Sequence, residues 1–367
     1  MTLSDSFATL RAHIDEATTT SLTHLLSLVG ASGRSEEFSR AVLTSASGGK
    51  RFRALMAHVG YAISSGTALE AVSLPHLSAA LELYQASALV HDDIIDKADE
   101  RRGMPTPHRT LADHHASSSW IGSSTDFGRH AAILVGDFLF SAATSAADEQ
   151  ALMLREDCAR AFTRRFAHMH AEVALGQYLD ITAEQTPLNP QHTDALSTND
   201  SLEVALHKSA HYSVVHPAIL GAICGASSFD GVTKLLDVLE SILTPWGLAF
   251  QLRDDDLGVF GDPAVTGKPA GDDLREGKRT ALLALTWEAS SPVERRALTD
   301  VLGVAQASAE QIATATQIVE RNGRAAHEAE IARLVADGHA ALETSSLNED
   351  SRTLLRELCS ILTTRRS

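Results

Sequence analysis

Apolar residues recur three and four positions apart along most of the chain, with Ala and Leu dominating, as in ALELYQASALV and TPWGLAFQL. That period puts the apolar positions of each segment on one helical stripe. Alternating β-branched runs, the mark of half-buried strands, are nearly absent, and the ten prolines fall mostly between periodic segments. The pattern predicts an all-α fold of roughly ten or more helices, given ordinary helix lengths. Three stretches break the period and read as loops: residues 103–128, polar and rich in Ser, Gly and His, then 182–200, then 261–279. Long loops in compact domains commonly carry function. No composition break marks a linker, so residues 1–367 read as a single domain.

Composition narrows the function classes. The 367 residues are 44% hydrophobic, ample for a large core. A net charge of −16 argues against nucleic acid or an anionic membrane surface as partner, so an anionic ligand must be met by local cations and metal. Cys158, Cys224 and Cys359 are widely spaced and form no CxxC pair, which fits a reducing cytoplasm rather than a disulfide framework or zinc site. The N-terminus lacks an apolar signal core, and no run of roughly 18 uncharged apolar residues predicts a membrane span. Among the 17 histidines, His114, His115, His168 and His170 show no metal-ligand spacing and read as surface or core residues.

The chemistry concentrates in two aspartate clusters, each at the end of an apolar stretch: HDDIIDKADERRG holds Asp92, Asp93 and Asp96, and FQLRDDDLGVFGD holds Asp254, Asp255 and Asp256. Asp92 and Asp96, at i and i+4, project from one helical face, with Asp93 beside them. Such carboxylates repel one another unless cations lie nearby. Clusters free of His and Cys favour a hard divalent ion, and Mg2+ held by a few carboxylates usually completes its shell with substrate phosphates. The two clusters make sense together if they face one another. Gln85, Ala88, Asp92 and Asp96 share one stripe, flanked by Tyr84 and Ser87, which reads as the wall and floor of a pocket. Gln251, Asp254, Asp255 and Gly258 share another face, while Asp256 points elsewhere and reads as a weaker participant.

Cations accompany both clusters. GGKRFR, residues 48–53, sets Lys50 and Arg53 after two glycines that permit close backbone approach and can open a helix, whose N-terminal N–H groups favour anions. Arg101 and Arg102 follow the first cluster. Adjacent arginines face different ways, so each can serve a different anion, bidentately where it meets phosphate. Lys268 and Lys278 follow the second cluster. Lys208, beside Ser209 in HKSAHYSVVHP, reads by itself as a solvated helix lysine.

Assembled in order, GGKRFR, DDIID, RRGMPT, AILVGD, GQYLD, HKSA, FQLRDD and TGKPAGDDLREGK resemble the trans-isoprenyl diphosphate synthases of the polyprenyl synthetase family over about residues 48–280. The resemblance implies helices packed around a central cavity, a homodimer, and condensation of isopentenyl diphosphate with an allylic diphosphate. On the matching positions it implies that Asp92 and Asp96, supported by Asp93, hold two Mg2+ ions, and Asp254, backed by Asp255, a third. Arg101, Lys208, Lys268 and Lys278 would contact the allylic diphosphate. Lys50, Arg53, Gln85 and Arg102 would bind isopentenyl diphosphate. Gln177, Gln251, Lys208 and Ser209 would present dipoles to the allylic cation. The family's second motif usually reads DDxxD, but its third Asp is here Gly258, which leaves that site short of a carboxylate. In the family, bulky residues four and five positions before the first Asp stop the product at C15. Here they are Ala88 and Ser87, both small, so the expected product is C20, with Tyr84 one turn deeper as the stop. Farnesyl or longer polyprenyl synthesis, a class I terpene cyclase and a non-catalytic subunit are the competing readings. The tail with Arg365 and Arg366 reads as a frayed end.

Overall fold

The computed structural model describes residues 3–261, 271–304 and 306–363. It divides into two compact units, Met1–Phe166 with Pro217–Thr233, and Ala167–His216 with Lys234–Ser367. Nearly all regular structure is helical.

The first unit holds α1 (Leu3–Leu28), α2 (Glu36–Ala46), α3 (Phe52–Ser65), α4 (Pro75–Ile95), α5 (Pro107–Ser117), α6 (Ser124–Leu152) and the start of α7 (Glu156–Gln185), with most of α9 (His216–Gly225). At its centre runs α4, with Pro75 in its first turn and Ala and Leu through its interior. Leu77, Ala80, Leu81, Leu83 and Tyr84 are all buried, so the helix is enclosed on nearly every side by α1, α3 and α6. Its first turn is tied to α6, where buried Gln150 accepts from the Leu77 N–H at 3.3 Å. Within the stretch expected as a loop, α5 is a departure. Thr106 in extended conformation precedes Pro107 in the first turn, and buried His108, Leu111, Ala112 and His115 fall on one face at i, i+3, i+4 and i+7. Two of those four positions are histidines, so the stripe is not apolar enough to show in a hydrophobic count.

Among the described residues one helix, α6, is long and apolar enough to cross a membrane. The sequence test passed over it because Asp126, Arg129 and Asp137 interrupt its apolar run. Ala132, Val135, Leu139, Ala142 and Ala143 are buried, and α6 packs on α4 and α5. Ile133, Leu134 and Phe140 stay exposed.

The second unit contains the rest of α7, α8 (Thr198–Ala205), a π-helix (Leu206–Val215), most of α10 (Phe229–Phe260), then α11 (Asp272–Glu276), α12 (Ala281–Ala289), α13 (Pro292–Thr299), α14 (Ala309–Asn322), α15 (Arg324–Thr344) and α16 (Glu349–Thr363). One core joins Leu282, Leu283, Trp287, Leu298, Ile312 and Val319. Trp246 and Trp287 are fully buried, and each satisfies its indole N–H on a carbonyl, of Val335 at 3.2 Å and His192 at 2.9 Å.

His327 on α15 is fully buried, and neither ring nitrogen has a hydrogen-bond partner among the described residues. Burial pushes its imidazole down to about 4. Below its ordinary value the unfolded chain takes up a proton that the folded chain refuses, so stability falls as the solution is acidified. From pH 7 to pH 5 the loss is about 2 kcal/mol from this residue. Chemical denaturation of the wild type and His327→Leu at both pH values should show that much less acid loss in the variant. Equal losses would mean that His327 protonates freely in the folded state.

Candidate active site

Asp92 and Asp93 lie in the last turn of α4, and Asp96 is its C-cap. The helix closes with the Asp96 N–H on the Asp92 carbonyl at 2.8 Å and the Ala98 N–H on the Asp93 carbonyl at 3.0 Å, around Lys97 in the left-handed region (φ 55°). This is a Schellman-type ending with Lys where Gly is usual. Carboxylates here face the negative end of the helix dipole as well as one another. The fold answers with Arg101, whose Nε donates to Asp93 Oδ1 at 2.6 Å and Nη2 to Asp92 Oδ2 at 3.0 Å. Burial works against the Arg101 charge, but Asp93 and Asp92 outweigh it and raise the guanidinium above its ordinary value. Asp93 is buried, whereas Asp92 and Asp96 are only partly covered. The buried member makes the shorter bond to Arg101, and with partly covered Asp92 and Asp96 it forms an all-oxygen donor set of the kind that fits Mg2+.

The two arginines diverge because they belong to a tight hairpin. β1 (Glu100–Arg101) pairs antiparallel with β2 (Met104–Pro105), Arg101 opposite Met104. Arg102 (φ 56°) and Gly103 (φ 72°) form the two-residue turn, both in the left-handed region as a type I′ turn requires. Arg102 is thereby sent to the GGKRFR loop. Its guanidinium nitrogens lie 3.0 and 3.1 Å from where a Cβ on Gly49 would sit, and Gly49 has φ 101°, so a side chain there is excluded twice over. Burial, then the charges of Arg101 and Arg51, lower the Arg102 guanidinium, with Arg53 adding to the effect. The loop thus concentrates positive charge around Gly49. Arg51, unremarked in the sequence, turns inward at the start of α3, where Nε donates to Asp15 at 2.5 Å and Nη2 to the Ala46 carbonyl at 2.9 Å. The α3 N-terminus already has its anion. Buried Glu82 accepts from the Ala54 N–H at 3.1 Å, and of the loop's cations Lys50 is exposed and Arg53 half-buried.

Around the pocket stripe of α4, Gln85 and Ala88 are half-buried, while Tyr84 and Ser87 are buried toward α6. The Ser87 hydroxyl donates to the Gly136 carbonyl at 2.8 Å, and the Tyr84 ring meets Phe140 edge-on at 5.9 Å.

In the second unit, Asp254 is half-buried near the end of α10 and Asp255 is buried beside it. Gln251, one turn earlier, donates from Nε2 to Asp255 Oδ1 at 2.8 Å. Burial and the neighbouring Asp273 carboxylate push Asp255 up to about 8 against that hydrogen bond. Asp256 faces elsewhere, 3.6 Å from the Arg324 guanidinium. At Gly258, where the family's third Asp is missing, a Cβ would lie 1.9 Å from Asp273 Oδ2. Asp273, on α11, fills the space a side chain at that position would need. Lys278 lies 3.7 Å from Asp273 and 2.5 Å from Glu276. Lys268, Arg365 and Arg366 lie outside the described residues.

Lys208 is not a solvated lysine. It sits in the π-helix, and its ammonium donates to Asp180 of GQYLD at 2.5 Å. A Cβ on Gly176 would lie 2.3 Å from the Lys208 backbone nitrogen, so α7 and the π-helix meet backbone to backbone. Ser209 follows half-buried, as is Gln177 on α7. Exposed His168 has its Nε2 4.0 Å from Glu172, one turn along the same helix. Glu172 also accepts from His207 Nδ1 and His211 Nδ1, both at 2.6 Å, and from His216 Nε2 at 2.5 Å. Burial would raise the Glu172 carboxyl, but the bonds from His211, His216 and His207 outweigh it and hold it far below the usual carboxylate range.

The polyprenyl synthetase family model matches residues 35–319, most of the chain and both aspartate clusters. The chain belongs to the polyprenyl synthetase family. As a member it is a trans-prenyltransferase, in a family that is in general Mg2+-dependent. The geranylfarnesyl diphosphate synthase of Aeropyrum pernix is 32% identical over 278 residues, 75% of this chain and 77% of that protein. The geranylgeranyl diphosphate synthase of Mycobacterium tuberculosis is 31% identical over 318 residues, 85% of this chain and 80% of its own. Among solved structures, geranylgeranyl pyrophosphate synthase of Corynebacterium glutamicum, in complex with isoprenyl diphosphate and magnesium, has a TM-score of 0.84 at 35% identity. The match covers 96% of this chain and 99% of that one.

Proposed function

We propose that this polyprenyl synthetase makes geranylgeranyl diphosphate, adding isopentenyl diphosphate to shorter allylic diphosphates until the chain reaches C20. The observation that carries the length is the pair Ser87 and Ala88 before Asp92, neither with the bulk to halt the chain at C15. Tyr84, one turn deeper and braced by Phe140, is the stop.

Asp92, Asp96 and Asp254 are the residues to hold three Mg2+ ions, with Asp93 and Asp255 behind them. The ions supply charge neutralisation that makes diphosphate a better leaving group. Arg101, Lys208, Lys268 and Lys278 hold the allylic diphosphate. Lys50, Arg53, Arg102 and Gln85 hold isopentenyl diphosphate, a role supported by the positive charge around Gly49. Gln177, Gln251 and Ser209 direct their dipoles at the carbon that becomes cationic. The released diphosphate takes the final proton, in keeping with a site whose expected residues offer no strong base. The exposed Ile133, Leu134 and Phe140 of α6 support a homodimer through that face. The three free cysteines support a cytoplasmic location.

Isopentenyl diphosphate supplied with dimethylallyl, geranyl or farnesyl diphosphate should yield the C20 diphosphate from each starter. Accumulated farnesyl diphosphate would refute the length reading, and a C25 product would show that Tyr84 does not stop the chain. No isopentenyl diphosphate consumption, with a cyclised product instead, would point to a terpene cyclase. Ala88→Phe should move most of the product to C15, and an unchanged length would remove Ala88 from the wall.

A further inference from the structure

We propose that Glu172, His211 and His216, with His207 as an additional donor, form a binding site for a divalent transition metal, Zn2+ above all, distinct from the aspartate clusters. One donor atom from each of Glu172, His211 and His216 lies within 4.8 Å of the other two. His207 Nδ1 approaches the same carboxylate at 2.6 Å, and His168 Nε2 at 4.0 Å. Two or three imidazoles with one carboxylate are the ligands of Zn2+ and its transition-metal neighbours, and a poor set for Mg2+.

Hydrogen bonding alone gives a weaker account. Glu172 and His216 are buried, and among the described residues no Lys or Arg pairs with Glu172. The neighbouring ammonium of Lys208 goes to Asp180 instead. The Glu172 charge is met by imidazole hydrogen bonds alone, and a divalent ion held by the same groups would neutralise it directly. At metal–ligand bonds of about 2.1 Å, tetrahedral donors stand about 3.4 Å apart; the Glu172 contacts at 2.5 and 2.6 Å would open by under about 1 Å, and donors as far apart as 4.8 Å would close by about 1.4 Å. His207 and His211, the more exposed members, have room to give.

The backbone is suited to this grouping. Residues 211 and 216 are five apart, and they share a face because the segment through Val215 has the i to i+5 pitch of a π-helix, a form that recurs at functional sites. An ion here ties α7 to the π-helix on both sides of Lys208, since His207 and His211 flank that residue. The site would therefore set the position of Lys208 without touching substrate.

The test uses the full chain, stripped with chelator and returned to excess Mg2+ so that the aspartates are filled with the ion they prefer. Zn2+ is titrated against a chromophoric chelator, and Co2+ is followed by its visible ligand-field absorption. One equivalent per chain should bind, with a rise in melting temperature. His211→Ala, and separately His207→Ala, should weaken binding by about 100-fold or more and abolish that rise. Asp254→Ala should leave Zn2+ binding unchanged, whatever it does to prenyl transfer. Circular dichroism shows whether each variant is folded, and His207→Ala, at a partly exposed position, serves if His211→Ala is not. No stoichiometric Zn2+ uptake, or uptake of equal affinity in folded histidine variants, overturns the proposal.

Discussion

Asp92→Ala is expected to lower kcat/KM by about 10^3-fold or more while leaving the melting temperature unchanged or slightly higher. The two effects separate because this carboxylate is poorly placed for stability. It sits at the negative end of α4, beside Asp93 and one turn from Asp96, so its removal relieves repulsion. Its 3.0 Å bond to Arg101 is lost, but Arg101 keeps its shorter bond to Asp93 at 2.6 Å. Asp93→Ala should behave differently. Asp93 is buried, and removing it strips Arg101 of its stronger anchor, at a stability cost of about 2–4 kcal/mol and with activity lost as well. Steady-state kinetics in saturating Mg2+ and thermal melts on both variants decide the matter. If Asp92→Ala turned over at near wild-type rates, the first cluster would not be the metal-binding wall.

The first cluster was legible because its geometry is local. Asp92 and Asp96 are one helical turn apart, and a hydrophobic period marks the helix that carries them. The divergence of Arg101 and Arg102 was legible for a similar reason, although the hairpin that causes it was not. Where sequence reading failed, the missing information was of another kind. Nothing local connects Gly258 with Asp273. Their pairing is tertiary, and a motif read position by position registers only an absent carboxylate. Helix α5 escaped because His108 and His115 occupy half of its buried stripe. The cluster around Glu172 escaped because its members fit no one helical period. His168 to Glu172 and His207 to His211 are spaced by four, but His211 to His216 is spaced by five and needs a π-helix to align. Taken alone Lys208 reads as solvated on the same account, since its partner Asp180 lies on a different helix.

The replacement at Gly258 yields the second large effect, and it runs against the motif. Gly258→Asp restores the usual third carboxylate of the family pattern, yet it is expected to damage the enzyme. Its Cβ would lie 1.9 Å from Asp273 Oδ2 and 2.3 Å from Asp273 Cγ, so the Asp273 side chain must be displaced. A third negative charge would also enter a place where Asp255 is already pushed up to about 8 by burial and by Asp273. Overpacking and charge together should cost about 2–4 kcal/mol of stability and about 100-fold in kcat/KM. Asp273→Ala alone removes the carboxylate beside residue 258; if that carboxylate stands in for the missing Asp, it should cost about 10–100-fold in kcat/KM, with little loss of stability. The double variant is decisive. With Asp273 gone, the space beside residue 258 is open, so Gly258→Asp combined with Asp273→Ala should recover the melting temperature and exceed the activity of either single change. Such a coupling is expected only between residues that compete for one volume. Additive losses in the double variant would show that Asp273 and residue 258 act independently, and that the second cluster works with two carboxylates.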